Sequence, residues 1–300
     1  MKQKSYGLVK RPPSLLTYQA PRAAVREETP LPTAWRLPDE LMPDVRDQGS
    51  IGACVAFAIT NVMQILEQKE TGTRKQFSPG YAYGRLRTTW RWEGLIEQQA
   101  LDVLRKSGVC FAEAFPVLEE VPEIIQAVAA RPDLEEAAEP YKIAGYVSFG
   151  DGHCIEDSKR ALFTHQVPLL AATGYFGASH EICIVGWDDS KKAFYILNSW
   201  GKKWKEQGFG WLPYNEVGRT YMLIDEKNSN ALMPFSDVTA GAWYYDAVKN
   251  CYNAGLVEGT SETAFEPDRP ITRAELCAVM DRLCKKIDAV LAVKENIAKK

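Results

Sequence analysis

The string Asp-Gln-Gly-Ser-Ile-Gly-Ala-Cys-Val-Ala-Phe-Ala at residues 47–58 constrains the fold more than any other part of the chain. Gly49, Ser50 and Gly52 require a turn, and the residues after it are apolar at 55, 58, 59, 62, 65 and 66, a helical spacing. Small residues at the start and apolar residues along its length predict a buried central helix over residues 54–67. Its first residue is Cys54, where partial positive charge from N–H groups at a helix start favours the thiolate. Gln48, across the turn, can bring its side-chain amide near the Cys54 backbone N–H, and two such donors make an oxyanion hole. Gly52, with Gly49 and Ser50, lets a substrate backbone come close. The string alone also suits a structural cysteine buried behind a glycine turn.

A nucleophilic thiol needs a base, and the chain has 3 histidines. His153 and His165 stand in polar, irregular or helix-like contexts that suit the surface. His180 opens His-Glu-Ile-Cys-Ile-Val-Gly-Trp, a strand able to hold an imidazole at a cleft edge. A second apolar run, Tyr195-Ile196-Leu197, ends in Asn198-Ser199-Trp200-Gly201. Asn198 can accept a hydrogen bond from the imidazole and fix its tautomer, as a Cys-His-Asn triad requires. Trp200 can shield that bond from water, although a tryptophan at a strand end is also ordinary core.

Helical signal dominates the first half, with a second helix over residues 98–106 and Gly108 as its C-cap. From residue 142 onward short strand-like runs follow at 142–149, 167–173, 182–187, 193–198 and 208–213. The order predicts an α+β fold with a cleft between a helical and a β-rich part. Prolines at 12, 13, 21, 30, 32, 38 and 43 predict an extended arm before the first helix, either a simple arm or a short pro-segment. A polar stretch at residues 228–233 marks a domain boundary. Beyond it, residues 243–254 and 271–283 read as two helices, with Gly255 capping the first and a Thr272/Glu275 capping box opening the second. The expected organisation is an N-terminal arm over 1–31, a main domain over 32–228, a helix-loop-helix unit over 233–284 and a helical tail over 285–300.

Lys plus Arg number 36 against 39 Asp plus Glu, with no long run of either sign, so neither nucleic acid nor an anionic membrane surface is expected as a partner. No apolar run reaches the roughly 20 residues of a transmembrane helix, and the basic N-terminus lacks the apolar core of a secretory signal. The 7 cysteines show no metal-ligand spacing, and no metal or cofactor is expected. Cys183, Cys251, Cys277 and Cys284 read as small buried hydrophobes.

Gln48-Gly49-Ser50 with Gly52-Ala53-Cys54, His180 with Val185-Gly186-Trp187-Asp188, and Asn198-Ser199-Trp200-Gly201 with Trp204 and Gly208-Phe209-Gly210 resemble the blocks of papain-family cysteine peptidases, in the family's order. The resemblance runs over residues 32–223. It implies the two-lobed papain-like fold, Cys54 as nucleophile, His180 as base and acid, Asn198 as orienter and Gln48 as oxyanion donor. It also implies peptide or protein substrates, with Gly94 as the glycine whose backbone pairs with an extended substrate. Ile51 stands where the family has a disulfide-bonded cysteine. Val55 replaces a bulky aromatic, which would open the cleft wall near the leaving group. The segment at 171–179 is shorter than the family's.

The C-terminal unit, with Phe235-Ser236-Asp237, Trp243, Phe265-Glu266-Pro267 and Thr272-Arg273-Ala274-Glu275, resembles a single surface-layer homology repeat. That resemblance implies a bacterial envelope protein whose partner is secondary cell-wall polysaccharide, contacted by Arg273 and Trp243, and a unit able to self-associate because such repeats work in threes. The repeat points to the cell surface, and the missing signal to the cytoplasm. Three functions fit these residues: a cysteine endopeptidase at the envelope, a thiol acyltransferase or amidase on cell-wall peptides, and an inactive papain fold that binds.

Overall fold

The computed structural model describes residues 30–87, 94–116, 124, 127–149, 155–224, 235–239, 241–253, 256–261 and 264–298. These fall into two compact units that part at Asn228. Most of the expected arm, His153, Cys154, the polar stretch at 228–233 and the Gly255 cap lie outside the described residues.

The first unit is organised on helix α1 (Cys54–Thr71), buried at every position from Cys54 to Leu66. Such burial demands partners for the polar residues inside it. Thr60 donates to the Ala56 carbonyl at 2.8 Å, and Gln64 donates to Asp44 at 3.0 Å. The helix stops at Gly72, whose φ of 71° is left-handed backbone that favours glycine and whose N–H closes on Gln68 O. It runs further than the apolar pattern shows, because its last turn is polar and faces solvent.

Seven strands form one sheet in the order β2-β7-β3-β4-β5-β6, all pairs antiparallel, with β1 joining β4. They are β1 (Ala34–Arg36), β2 (Gly145–Ser148), β3 (Leu169–Thr173), β4 (His180–Asp188), β5 (Ala193–Leu197), β6 (Phe209–Pro213) and β7 (Val217–Ile224). Strand β4 is central and buried from His180 to Trp187. Along one of its edges β3 pairs as far as Ile184 and β1 takes over at Gly186. A side chain at 186 would put its Cβ 2.5 Å from the Trp35 carbonyl, so only glycine lets β1 close there. Helix α1 packs on β3 and β4, and the Cys183 thiol reaches the Ala58 carbonyl at 3.4 Å. Helices α2 (Pro79–Arg87), α3 (Glu97–Ser107, capped by Gly108 at φ 68°), α4 (Asp133–Ala138) and α5 (Ile155–His165) complete the unit. It is the expected α+β arrangement of helices packed against a β-rich part.

Several elements differ from the sequence expectation. Residues 34–36 lie in the proline-bearing stretch expected to be extended ahead of the first helix, and they pair as a strand, since extended backbone beside a proline suits a sheet edge. Strand β7 is not legible in the sequence because Gly218 and Arg219 interrupt its apolar run, nor is α2, because Pro79 and Gly80 open it.

Arg46 ties the chain ahead of α1 to the helix. Its guanidinium, buried in the protein, donates to Asn61 Oδ1 at 3.0 and 2.5 Å, Thr60 Oγ1 at 2.8 Å, the Phe57 carbonyl at 3.3 Å and the Phe77 carbonyl at 3.0 Å. Burial pushes its pKa down to about 10, with the charges of Cys183 and Asp44 opposing the fall, so it stays cationic at neutral pH.

The second unit has a small core of Phe235, Val238, Tyr245, Val248 and Tyr252. Helix α6 (Tyr245–Asn253) contributes three of these, and the Asp237 carboxylate accepts the N–H groups of Phe265 and Glu266 at 2.9 and 2.6 Å. The Thr272/Glu275 capping box forms in both directions, at 3.1 and 2.7 Å. Helix α7 (Arg273–Ala298) does not end near residue 283 but runs 26 residues. Cys277 and Cys284 on it are exposed and Cys251 is half-buried, so only Cys183 of the four is the buried hydrophobe expected. The reason is that no described side chain of α7 joins the unit's small buried core, and Leu276 and Met280 on it are exposed.

Arg46→Met should destabilise the first unit by about 3 kcal/mol, because it strands buried acceptors on α1. Arg46→Lys should recover less than half of this, since an ammonium cannot span the same fork. Urea unfolding midpoints check both.

Candidate active site

The geometry starts at the end of β5. Asn198 is held by its N–H, which donates to the Gly208 carbonyl at 3.0 Å. The next N–H, from Ser199, donates to Asn198 Oδ1 at 2.7 Å, which fixes that atom as the amide oxygen. His180, first residue of β4, places Nε2 2.8 Å from the same oxygen. An oxygen of this kind only accepts, so Nε2 carries the proton and Nδ1 of the neutral ring carries the lone pair. Trp200 stacks on the imidazole with centroids 4.7 Å apart and planes at 26°. Both side chains are buried.

The same loop holds the turn before Cys54. Gln48 N–H donates to the Ser199 carbonyl at 2.8 Å, and the Ser199 hydroxyl donates to Gln48 Oε1 at 2.5 Å. The Gln48 amide is thereby oriented, with Nε2 toward the turn, where one hydrogen reaches the Ile51 carbonyl at 2.7 Å. Asp47 bridges to Trp200, and Gly201 N–H donates to the Arg46 carbonyl at 3.0 Å. Gly201 has φ 73°, and a Cβ there would lie 2.7 Å from the Asp47 carboxylate. The turn passes through Ile51 and Gly52 to Ala53, which has no side chain to cap the helix, and Cys54 is the first helical residue. Gln48, His180, Asn198 and Trp200 thus form one hydrogen-bonded and stacked group beside the turn that leads into the Cys54 helix.

Burial pushes the His180 pKa down to about 4, and the Asn198 hydrogen bond partly offsets the fall. The ring is therefore neutral at physiological pH. Next in β4, Glu181 is held well above the usual carboxylate range, first by burial and then by repulsion from and hydrogen bonding to Glu97 at the start of α3. Burial also raises the Cys183 thiol and takes that of Cys110 up to about 11, which makes both poor nucleophiles.

Other expected positions fall elsewhere. Gly94 lies half-buried in the loop entering α3, and no hydrogen bond among the described residues ties it to this group. Val55 is fully buried inside the α1 packing, so its small size does not open a cleft wall. His165 ends α5 and is half-buried rather than a surface residue. In the second unit Trp243 is 93% exposed, with Tyr244 edge-on at 5.6 Å, and Arg273 is exposed at the N-terminus of α7. Sequence reasoning missed Arg46 and Phe176. Phe176 meets His180 edge-on at 6.1 Å and Trp200 at 5.5 Å; its signal is the Gly174-Tyr175-Phe176-Gly177 turn just ahead of the histidine. Among the described residues no three His, Cys, Asp or Glu side chains are placed to hold a metal, and no helix is long and apolar enough to cross a membrane.

Comparison with known proteins finds similarity in both parts of the chain. Residues 154–229 match the papain family cysteine protease model, and residues 234–277 match the S-layer homology domain model. Xylellain, a cysteine protease from Xylella fastidiosa, superposes with a TM-score of 0.60 at 21% identity, over 75% of this chain and 98% of its own. A peptidase C1-like protein of Acanthamoeba polyphaga mimivirus is 24% identical over 213 residues, 60% of this chain and 67% of that protein. The surface-layer 125 kDa protein of Lysinibacillus sphaericus is 44% identical over 46 residues, 15% of this chain; the chain spans only 4% of that protein's length. The fold of the first unit is that of papain-like cysteine proteases. A segment that matches the papain family model is thus followed by one that matches the S-layer homology domain model.

A buried imidazole with a depressed pKa has a consequence for stability. His180 contributes stability above its unfolded pKa of about 6.5, lost as pH falls toward about 4, because only the unfolded chain can take up the proton. Unfolding midpoints measured from pH 7 to pH 4 should show a loss of roughly 2–3 kcal/mol that His180→Gln largely removes.

Proposed function

We propose that the protein is a cysteine endopeptidase that cleaves peptide bonds through a Cys54 thioester. The observation that carries this reading is the His180–Asn198 hydrogen bond under Trp200, tied through Ser199 to Gln48 at the turn that feeds the Cys54 helix. Nδ1 of His180 takes the Cys54 proton, and the thiolate attacks the substrate carbonyl. The oxyanion that forms is met by the Gln48 amide and the Cys54 backbone N–H, before a substrate held against Gly52 and Gly94. The imidazolium, held in register by Asn198, then protonates the leaving amine. In the second half of the cycle His180 activates a water that hydrolyses the thioester.

Cys54→Ala should lower hydrolysis of an unstructured peptide by at least about a thousandfold, and Gln48→Ala by about a hundredfold or more. Far-ultraviolet circular dichroism should be unchanged in both variants. Peptide cleavage retained by Cys54→Ala refutes the assignment.

The S-layer homology domain suggests attachment at the bacterial cell surface, with Arg273 and the exposed Trp243 contacting acidic wall polysaccharide. A guanidinium at a helix N-terminus and an exposed indole support a saccharide-binding face. The full chain should co-sediment with purified wall fragments, and Arg273→Ala should reduce the bound fraction several-fold; equal binding by both proteins contradicts this role.

A further inference from the structure

An aromatic shelf leads away from the His180 imidazole and ends at a lysine. Phe176, edge-on to His180, also meets Trp204 at 5.6 Å, and Trp204 meets Trp200 at 5.8 Å. Tyr175 adds a ring edge-on to Phe176 at 5.2 Å and is 45% exposed. The Lys205 ammonium lies 5.0 Å from the Trp204 centroid, 5.5 Å from Phe176 and 6.0 Å from Tyr175.

Its position is built into the chain. Lys205 has φ 38°, left-handed backbone in the turn ahead of β6, and its stem lies over Gly210. A Cβ at 210 would meet Trp204 at 2.9 Å and the Lys205 stem at 3.0 Å, so the missing side chain makes room for both. Contact with ring faces restrains the ammonium. Among the described residues no carboxylate pairs with it.

We infer that Lys205, with Tyr175, Phe176 and Trp204, forms a subsite for an acidic residue on the leaving-group side of the scissile bond. The inference rests on the peptidase reading above. His180 gives its proton to the leaving amine, so the chain on that side departs past the imidazole. By way of the Phe176 ring the ammonium is within about 12 Å of the imidazole centroid. An extended peptide rises about 3.3 Å per residue, which brings the ammonium within reach of the first three leaving-group residues. The rings can cover the stem of a glutamate while its carboxylate meets the cation.

The test uses the full chain and two kinds of substrate. One is a cleavable peptide of established cut site, made with Glu, Gln or Lys at the second and third leaving-group positions. The other is a peptidyl-aminocoumarin, which has no peptide beyond the scissile bond. The expected result is a five- to tenfold higher kcat/KM for Glu over Lys at low salt, shrinking as salt screens the charge. Lys205→Glu should reverse that order and Lys205→Met abolish it, both leaving aminocoumarin release within about twofold of the parent. Aminocoumarin release without any acidic preference overturns the inference and leaves the peptidase reading standing. An equal loss by the variants on both substrates overturns it as well, because Lys205 then acts through the fold. If neither substrate is cleaved, the peptidase reading fails and the subsite with it.

Discussion

The arrangement around the candidate nucleophile depends on one buried cation. Arg46 inserts its guanidinium against the first two turns of α1, where Phe57, Thr60 and Asn61 accept its hydrogen bonds, while its own carbonyl accepts from Gly201. One residue therefore joins the Cys54 helix, the Gln48 turn and the Asn198–Gly201 loop. A cation so deeply buried is costly to desolvate, and the cost is met because its nitrogens are matched to carbonyl and side-chain oxygens. A hydrophobic residue could fill the space, but it could not fix the direction in which residues 46–48 approach the helix.

The site is then a matter of two segments held in register. Residues 47–54 carry Gln48 and Cys54, and the paired strands β4 and β5 carry His180 and Asn198. Strand pairing sets His180 and Asn198 at adjacent strand ends, and the Ser199–Gln48 hydrogen bonds close the gap to the other segment. The imidazole is buried by Trp200 and Phe176, which keeps water from its bond to Asn198 and lowers its proton affinity. The saccharide contacts proposed above lie in the second unit.

What the sequence reveals here follows local physics. The glycine turn into an apolar run marks Cys54 and α1, and short continuous apolar runs mark β4 and β5, because those signals are contained within a dozen residues. The Thr272/Glu275 capping box is legible for the same reason. Arg46, Phe176 and Lys205 are not legible, because each acquires its role from residues distant in the chain. Arg46 in a polar stretch gives no sign of burial, and Lys205 gives no sign of three rings around it. The exposure of Cys277 and Cys284 was also hidden, since an amphipathic pattern shows that a helix has an apolar face but not whether a neighbour covers it.

The central claim, that Cys54 activated by His180 is the one acylating thiol, is tested most directly by intact-mass and peptide-mapping mass spectrometry after treatment with a peptidyl epoxide near neutral pH. The account predicts a single adduct on Cys54, formed at least about a hundredfold more slowly in His180→Ala, with the exposed Cys277 and Cys284 unlabelled. Labelling spread over Cys277 and Cys284 with Cys54 untouched, or a Cys54 adduct that forms as fast without His180, would contradict it.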